Sequence, residues 1–580
     1  MRVDNVQVLI AGAGLTGLSA AVFLREHGVS VTLVERRRVP LRHPRSRTVN
    51  PRTVELFRRT GLDQSILAAC AIQDRPGALL IRAETLAGPE QWRRTVVPES
   101  VSDDISPSPW AFIDQDKLED LLRERAVERG ADIRFGAELA AFRPDQCGVT
   151  ADIRAVDGSR YAVRARYLVG ADGHGSRVRT ALGIPADGVG VLGDTVTFLF
   201  EADLSAALAG RQLQVGHLDR PAPGTVLIPH NDAGQWVFSS PYQSTAGVPA
   251  ASLTKRHCVA MVRAAVGDPR LPVAVIPQLD DDTLVLTYQI SAQVARRFRD
   301  GRVFLAGDAA HVMPPAGAFG ASTGIQDAHN LAWKLAAVLT GQAGDGLLDS
   351  YAQERWQVAR FTLAQALWQM RERTGREVPG LSPDGPADYD SVVFGQRYRS
   401  SAVIAGETAG PESGGRPGQP AAVSPAELRG QPGTRIRHAA VLADGVRLST
   451  VDLPAGRFVL IVGSGCAQWR GACDRAAARL GVPVDGYQLG DNLCDLGGLL
   501  EGHDVVPPHG ALLIRPDGIV AWRSAGAPTA QWDAIEAVLA RILGRDGFGR
   551  PEKPGKPREA EDVEDPEAPV TALGRREWAS

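Results

Sequence analysis

The sequence predicts an α/β protein in which a parallel nucleotide-binding sheet is interleaved with an antiparallel sheet and followed by a smaller α/β unit. Three observations predict it. An apolar strand at 6–10 runs into Gly12-Ala-Gly14-Leu-Thr-Gly17, a helix follows at 15–26, and a second strand at 31–34 ends in Glu35. From 195 to 288 apolar residues alternate at strand spacing, as in Val196, Phe198 and Phe200, in Trp236 and Phe238, and in Leu284, Leu286 and Tyr288. After 434, apolar runs at 458–462, 511–514 and 519–522 read as strands and 467–480 and 532–543 as helices, with Arg515-Pro-Asp-Gly518 as a hairpin turn.

The 580 residues suffice for two or three domains. With 44% hydrophobic residues and a formal charge of -3, nothing global attracts nucleic acid or an anionic membrane. No charged-then-apolar leader and no membrane-length apolar run is evident, so a cytoplasmic protein is expected. Six cysteines, at 70, 147, 258, 466, 473 and 494, form no CxxC pair and no Cys/His cluster. They read as reduced core residues, and no metal site is expected.

Gly12 permits a tight turn, Gly14 lets backbone amides reach a pyrophosphate, Gly17 brings helix against sheet, and Glu35 suits ribose hydroxyls. This Rossmann-like unit binds a dinucleotide without distinguishing FAD from NAD. The segment 41–52 holds Arg42, Arg45, Arg47 and Arg52, equally a solvated basic loop or a set of phosphate-binding forks. A helix starts near Gln115, which by residue type is also an ordinary capping residue, and Leu118, Leu121, Leu122 and Ala126 form its apolar face. Short strands at 131–135, 140–142 and 161–163 suggest a meander. An apolar strand then enters Asp172-Gly173, which turn chemistry alone also explains.

The antiparallel strands offer Phe198, Phe200, Phe238, Tyr242 and Tyr288 as pocket candidates, most of which alternation assigns to plain core. A helix interrupts them at 252–266. The apolar run 303–306 then ends in Gly307-Asp308, a carboxylate suited to a polyhydroxyl chain. Pro314 and Pro315 fix a turn, Gly317 and Gly320 allow close backbone approach, and Ile325, His329, Ala332 and Leu335 recur at helical spacing. The N-terminal amides of that helix favour electron density on a planar ring held beside them. His311 and His329 read as structural. A long helix runs from 346 to about 373, a Gly/Pro/Ser-rich linker covers most of 375–431, and 545–580 has the composition of a disordered tail.

Gly-Asp-Ala-Ala-His, the paired prolines and Gln-Asp-Ala-His-Asn-Leu-Ala-Trp-Lys-Leu resemble the second flavin motif of the para-hydroxybenzoate hydroxylase family of single-component FAD monooxygenases. The wording is nearest to the aromatic polyketide hydroxylases such as aklavinone hydroxylase. Together with the first glycine motif, the arginine segment and Asp172-Gly173, the likeness covers roughly 5 to 370 and extends more weakly to about 543.

That resemblance implies a Rossmann-like FAD-binding domain (1–75, 109–190 and 291–374), an antiparallel-sheet substrate domain (76–108 and 191–290), a linker (375–433), a thioredoxin-like α/β domain (434–544) and the tail. It implies cofactor contacts from Gly12, Gly14, Leu15, Thr16, Gly17, Glu35, Arg36, Arg45 and Gln115. It implies more from Asp172, Asp308, Pro315, Gly320, Ala321 and Ser322, with Asp172-Gly173 serving both FAD and NADPH. The activity implied is hydroxylation of a polycyclic aromatic polyketide: NADPH reduces FAD, dioxygen adds at the flavin C4a carbon, and one oxygen passes to a phenolic ring. No Ser/His/Asp triad is needed, and no side chain is singled out as catalytic. Baeyer-Villiger insertion, oxidative ring cleavage and a non-catalytic flavin-bound interaction protein remain open, as does a homodimer. The third unit departs from active thioredoxins, because six residues separate Cys466 from Cys473.

Overall fold

The computed structural model describes residues 3–40, 45–70, 78–95, 104–230, 234–242, 252–277, 283–375, 377–404, 421–501, 505–526, 534–545 and 571–572. Strands and helices are numbered in chain order. β1 (Val3–Ala11) lies between β2 (Val31–Glu35) and β8 (Arg160–Gly170), both parallel to it, with Ile10 in register with Leu33 and Val169. β5 (Asp132–Phe135) adds beyond β2, and β16 (Val303–Leu305) beside the end of β8. Helices cover both faces of such a sheet, so its strands are apolar without alternation, and Val8, Leu9 and Ile10 are fully buried. β6 (Ala137–Pro144) and β7 (Val149–Ala155) extend the sheet antiparallel, and β15 (Arg299–Asp300) folds back on β16.

α1 (Leu15–Glu26) buries Ser19, Ala20 and Ala21, small enough for close packing. α8 (Phe319–Leu339) lies against it, joined by α2 (Pro51–Arg58), α3 (Leu62–Ala68) and α4 (Gln115–Glu128), while α5 (Arg177–Ala181) follows the end of β8.

The second sheet runs β17 (His311–Val312), β14 (Leu286–Ala295), β9 (Ala186–Glu201), β12 (Gln235–Pro241), β11 (Thr225–Pro229), β10 (Leu213–Leu218), β3 (Leu79–Ala83), β4 (Glu90–Thr95), with β13 (Ala274–Ile276) on the outer part of β9. The short α6 (Ser205–Leu208) follows β9, and α7 (Lys255–Val266) lies across one face. A Thr254/His257 capping box starts α7 and Gly267, at φ +87°, ends it.

In the third unit β20 (Phe458–Val462) pairs parallel with β21 (Val484–Gln488) and antiparallel with β23 (Ala511–Ile514), which turns through Arg515–Gly518 into β24 (Val520–Ser524). α11 (Gln468–Leu480) and α12 (Ala534–Ile542) pack on this sheet. A small sheet of β18 (Ala440–Ala443), β19 (Val446–Ser449) and β22 (Leu493–Asp495), which the sequence reading did not anticipate, packs on its other side. The core of this unit is not closed on itself. Trp333 and Ala337 of α8 and Leu347 of α9 (Gly346–Thr374) are buried with Phe458, Trp522 and Leu539, and the Trp333 and Phe458 rings meet edge to face at 5.9 Å.

The segment expected to be a linker is different where it is described. It forms α10 (Tyr389–Phe394), and Phe394, Tyr398, Ala402 and Ile404 are buried between the units, because their apolar area has a groove to fill. Two cysteines also depart from expectation: Cys147 and Cys494 are exposed on turn and edge positions. Arg42, Pro44 and most of the expected tail lie outside the described residues; 571–572 form β25 (Thr571–Ala572), which pairs with β6 at Ala141 and Phe142. Among the described residues no helix is long and apolar enough to cross a membrane.

Candidate active site

The first glycine turn is built by close approach. Gly12 has φ +105°, and a Cβ there would lie 2.3 Å from Ala171 O at the end of β8; one at Gly17 would lie 1.9 Å from Gly12 O. Gly14 is the N-cap of α1 without a side-chain cap, and a Cβ on it would meet only Glu119 Oε1, 3.9 Å away. The amides of the first turn of α1 therefore face open space suited to a phosphate. Glu35 ends β2 and accepts from Ala13 N and Arg37 N, both at 2.9 Å. A carboxylate has about four acceptor sites, so two remain for hydroxyls. Leu15 is buried core, and Arg36 is exposed just past β2.

Thr16 has a role that spacing does not reveal. Its Oγ1 sits where a Cβ on Gly307 (2.2 Å) or Gly324 (2.4 Å) would have to go, so it wedges the first motif against the second. Across the groove, Gln115 Oε1 accepts from Ser46 N at 3.1 Å and Gln115 N donates to Ser46 O at 2.9 Å, tying the arginine loop to α4. Gln115 Nε2 donates to Glu119 Oε1 at 2.7 Å. Burial raises the Glu119 carboxyl, and burial with Arg37 lowers the Arg45 guanidinium, against the pull of Glu119, Asp308 and Glu35. Arg45, Gln115, Asp308 and Glu35, chosen from distant stretches, thus share one groove.

Asp308 is exposed within the otherwise buried run 303–310. The turn before it is held from below: Gly307 N donates to Asp327 Oδ2 (3.0 Å), as His311 Nε2 does at 2.7 Å, and Arg355 Nε donates to Asp327 Oδ1 at 2.6 Å. Though burial raises it, His311 and Arg355 hold the Asp327 carboxyl below its ordinary range. Pro315 is exposed, Gly320 and Ala321 are half-buried, and α8 begins after Ala318, a non-glycine residue at φ +56° with no side-chain cap. Such a left-handed residue costs about 1 kcal/mol, a strain typical of a turn shaped around a ligand.

Two chosen side chains are committed elsewhere. Ser322 Oγ accepts from Asn50 N (3.2 Å), and Asn50 in turn caps α2. Asp172 accepts from Ser176 Oγ, Arg177 N and Val178 N at 2.6–3.0 Å, capping α5, while its backbone abuts the Gly12 turn.

The aromatic set needs correction. Phe198, Phe200 and Phe238 are 0% exposed and face α7 with Cys258, Val262 and Ala265, because alternation turns every second residue of β9 and β12 to that side. The other face carries a row across the sheet in which Leu286, Thr197, Ser239 and Val226 are followed by His217 and Arg82. Tyr288 Oη and Ser239 Oγ lie 3.0 Å apart; Tyr288 is 40% exposed, yet burial raises its phenol, as for a residue lining a cleft. Tyr242 is half-buried where β12 ends.

Sequence reasoning named Arg47 but not its partners, and missed Asp327 and Tyr389. Arg47 Nε donates to Asp114 at 2.7 Å, and its Nη1 donates to Pro229 O of the second sheet. Asp327, inside the quoted motif, received no role. Tyr389 donates to Gly317 O at 2.7 Å and stacks on Phe319 and, obliquely, on Trp110, forming an aromatic wall at the start of α8. Nothing in the composition of the expected linker marks Tyr389.

A glycine turn and two helix N-termini beside an antiparallel sheet form the kind of site that flavin-dependent oxidoreductases use. The residues fit FAD: α1 and α8 start without side-chain caps, Glu35 has acceptor sites to spare, and Asp308 is exposed within reach of the Arg45 charge. The chain belongs to the FAD-dependent aromatic-ring hydroxylases: residues 5–366 match the family described as FAD binding domain, and 429–546 match the aromatic-ring hydroxylase C-terminal region. It is 41% identical over 564 residues to tetracenomycin B2 monooxygenase-dioxygenase of Streptomyces olivaceus, covering 93% of this chain and 99% of the relative. It is 39% identical to aklavinone 12-hydroxylase of Streptomyces purpurascens, covering 94% and 100%. The crystal structure of aklavinone-11 hydroxylase with FAD and aklavinone superposes with a TM-score of 0.84 at 36% identity, covering 94% and 100%.

Proposed function

We propose that the protein hydroxylates a polycyclic aromatic polyketide at a ring carbon activated by a phenol, using NADPH and dioxygen. The observation that carries this reading is the face of the second sheet opposite α7, where Leu286, Thr197, Ser239 and Val226 lie side by side and the Tyr288 hydroxyl meets Ser239, a stretch of apolar and hydroxyl groups. A flat, weakly polar ligand suits such a surface. The substrates named for the tetracenomycin and aklavinone relatives support the same class.

Bound FAD supplies the oxygen activation. In this reading the amides after Gly14 hold its pyrophosphate and Glu35 its adenosine ribose, while Gln115, Arg45 and Asp308 hold the chain between pyrophosphate and ring. The amides of 320–322 face the ring, whose reduced form their partial positive charge favours. Tyr288, with Ser239 behind it, and Tyr242 orient the phenol and exclude water.

A second reading has a specific support: the relative named a monooxygenase-dioxygenase points to insertion of more than one oxygen. Incubation with NADPH, labelled dioxygen and an anthracyclinone-like or angucyclinone-like phenol tests both. A product heavier by one labelled oxygen with the ring intact supports hydroxylation. Further labelled oxygens support the second reading, and faster coupled turnover of para-hydroxybenzoate refutes the substrate class.

A further inference from the structure

A hairpin turn of the sequence Arg-Pro-Asp-Gly ordinarily sits in water. In the third unit it does not: Arg515 is 0% and Asp517 5% exposed, because the turn is inserted between α8 and α9. Arg515 Nη1 and Nη2 donate to Glu354 Oε1 and Oε2 at 2.5 and 3.0 Å, and its Nε donates to Asp517 Oδ1 at 3.0 Å. Lys334 of α8 (2.7 Å) and Asn330 (2.8 Å) donate to the same Glu354 carboxylate, and Ser400 donates at 2.6 Å.

The next residue of α9 faces the flavin motif. Arg355 donates through Nε to Asp327, through Nη1 to Tyr398 Oη (2.8 Å) and through Nη2 to Thr323 O in the first turns of α8 (3.1 Å). One guanidinium therefore grips both the carboxylate that holds the Gly307-Asp308 turn and the start of the helix whose amides meet the ring. Asp327, Glu354 and Asp517 face Arg355, Lys334 and Arg515, with His311 also on Asp327. Adjacent residues of α9 thus join the third unit to the cofactor turn through contacts that are all hydrogen-bonded, geometry that a planar fork fixes and a point charge does not.

We propose that Arg355 is a positioning residue for the flavin, and that the third unit acts on the active site by using Arg515 to fix the Glu354-Arg355 step of α9. The proposal rests on the FAD reading of the groove. Arg355→Lys keeps the charge beside Asp327 but loses the fork, so the dissociation constant of FAD, titrated into stripped protein by flavin fluorescence, rises about tenfold. Tyr398→Phe removes only the hydroxyl that accepts from Arg355 and raises it about threefold, which keeps the test available where Arg355→Lys does not fold. Arg515→Lys raises it in the same direction and alters the band shape of the bound flavin, a readout that loss of stability alone does not move. An unchanged FAD constant in both Arg355→Lys and Tyr398→Phe overturns the positioning role, and a lowered melting temperature in Arg515→Lys with unchanged FAD affinity overturns the part given to the third unit. Wild-type protein that binds no FAD defeats the underlying reading instead.

Discussion

At the scale of the residue, aromatic side chains do opposite work on the two faces of one sheet. Phe238→Ala empties a packed core under α7 and should cost about 3–5 kcal/mol in denaturant unfolding while KM for a polyketide phenol stays near the wild-type value in folded protein. Tyr288→Phe removes a hydroxyl on the face opposite α7, where the proposed substrate sits, and should do the reverse, raising KM with little change in unfolding. If Phe238→Ala changes KM and leaves stability alone, the faces are assigned the wrong way round. Asp308→Ala should raise the FAD dissociation constant about tenfold or more, as expected for losing charged acceptors. In the third unit, burial pushes the Cys473 thiol up to about 12, so it is no thiolate at neutral pH. Cys466→Ser with Cys473→Ser should therefore keep full turnover, and loss of activity at unchanged stability would overturn a non-redox role.

At the scale of the element, Gly324 of α8 and Gly307 of the turn after β16 depend on Thr16. Gly324→Ala places a methyl 2.4 Å from Thr16 Oγ1 and should lower stability by about 1–3 kcal/mol. Adding Thr16→Ala removes that oxygen and should restore most of the loss in both melting temperature and FAD content; a double variant no better than the single one contradicts the wedge. Helices such as α1, α7 and α9 were legible because the glycine motif before α1, the length of α9 and the run of α7 lie in their own stretches of sequence. The small sheet of β18, β19 and β22 and the helix α10 were not. Each is short, and what makes it ordered is apolar area supplied by other parts of the chain.

At the scale of the whole molecule, three buried carboxylates decide the response to acid. Burial raises Glu354, Asp327 and Asp517, but Arg515 and Lys334, His311 and Arg355, and Arg515 respectively hold them below their ordinary ranges. A depressed folded-state pKa contributes stability above the unfolded value, about 4, and that contribution is lost as pH falls below it. The denaturant midpoint should drop steeply below about pH 4.5. The drop should be shallower in Glu354→Gln, which starts lower at pH 7 because Arg515 and Lys334 lose their shared partner; parallel acid limbs in the two proteins would show that this network does not titrate. Removing residues from 429 onward should leave the flavin domain aggregation-prone, since Trp333, Ala337 and Leu347 lose their cover.

The sequence by itself determined the α/β class, the dinucleotide turn at Gly12 to Gly17, the acid at Glu35 and the Gly307-Asp308 motif. Each is local: a strand, a turn and a helix start that follow from neighbouring residues whatever the rest of the chain does. Only the tertiary structure decided which face of the second sheet α7 covers, that the Asp172 and Ser322 side chains are engaged with backbone amides, and that Tyr389 from the supposed linker stacks at the start of α8. Only it brought Arg515 to Glu354 across 161 positions. Those outcomes depend on the docking of one surface on another, and a row of residues in the chain carries the alternation of a strand but not which of its two faces another element will cover.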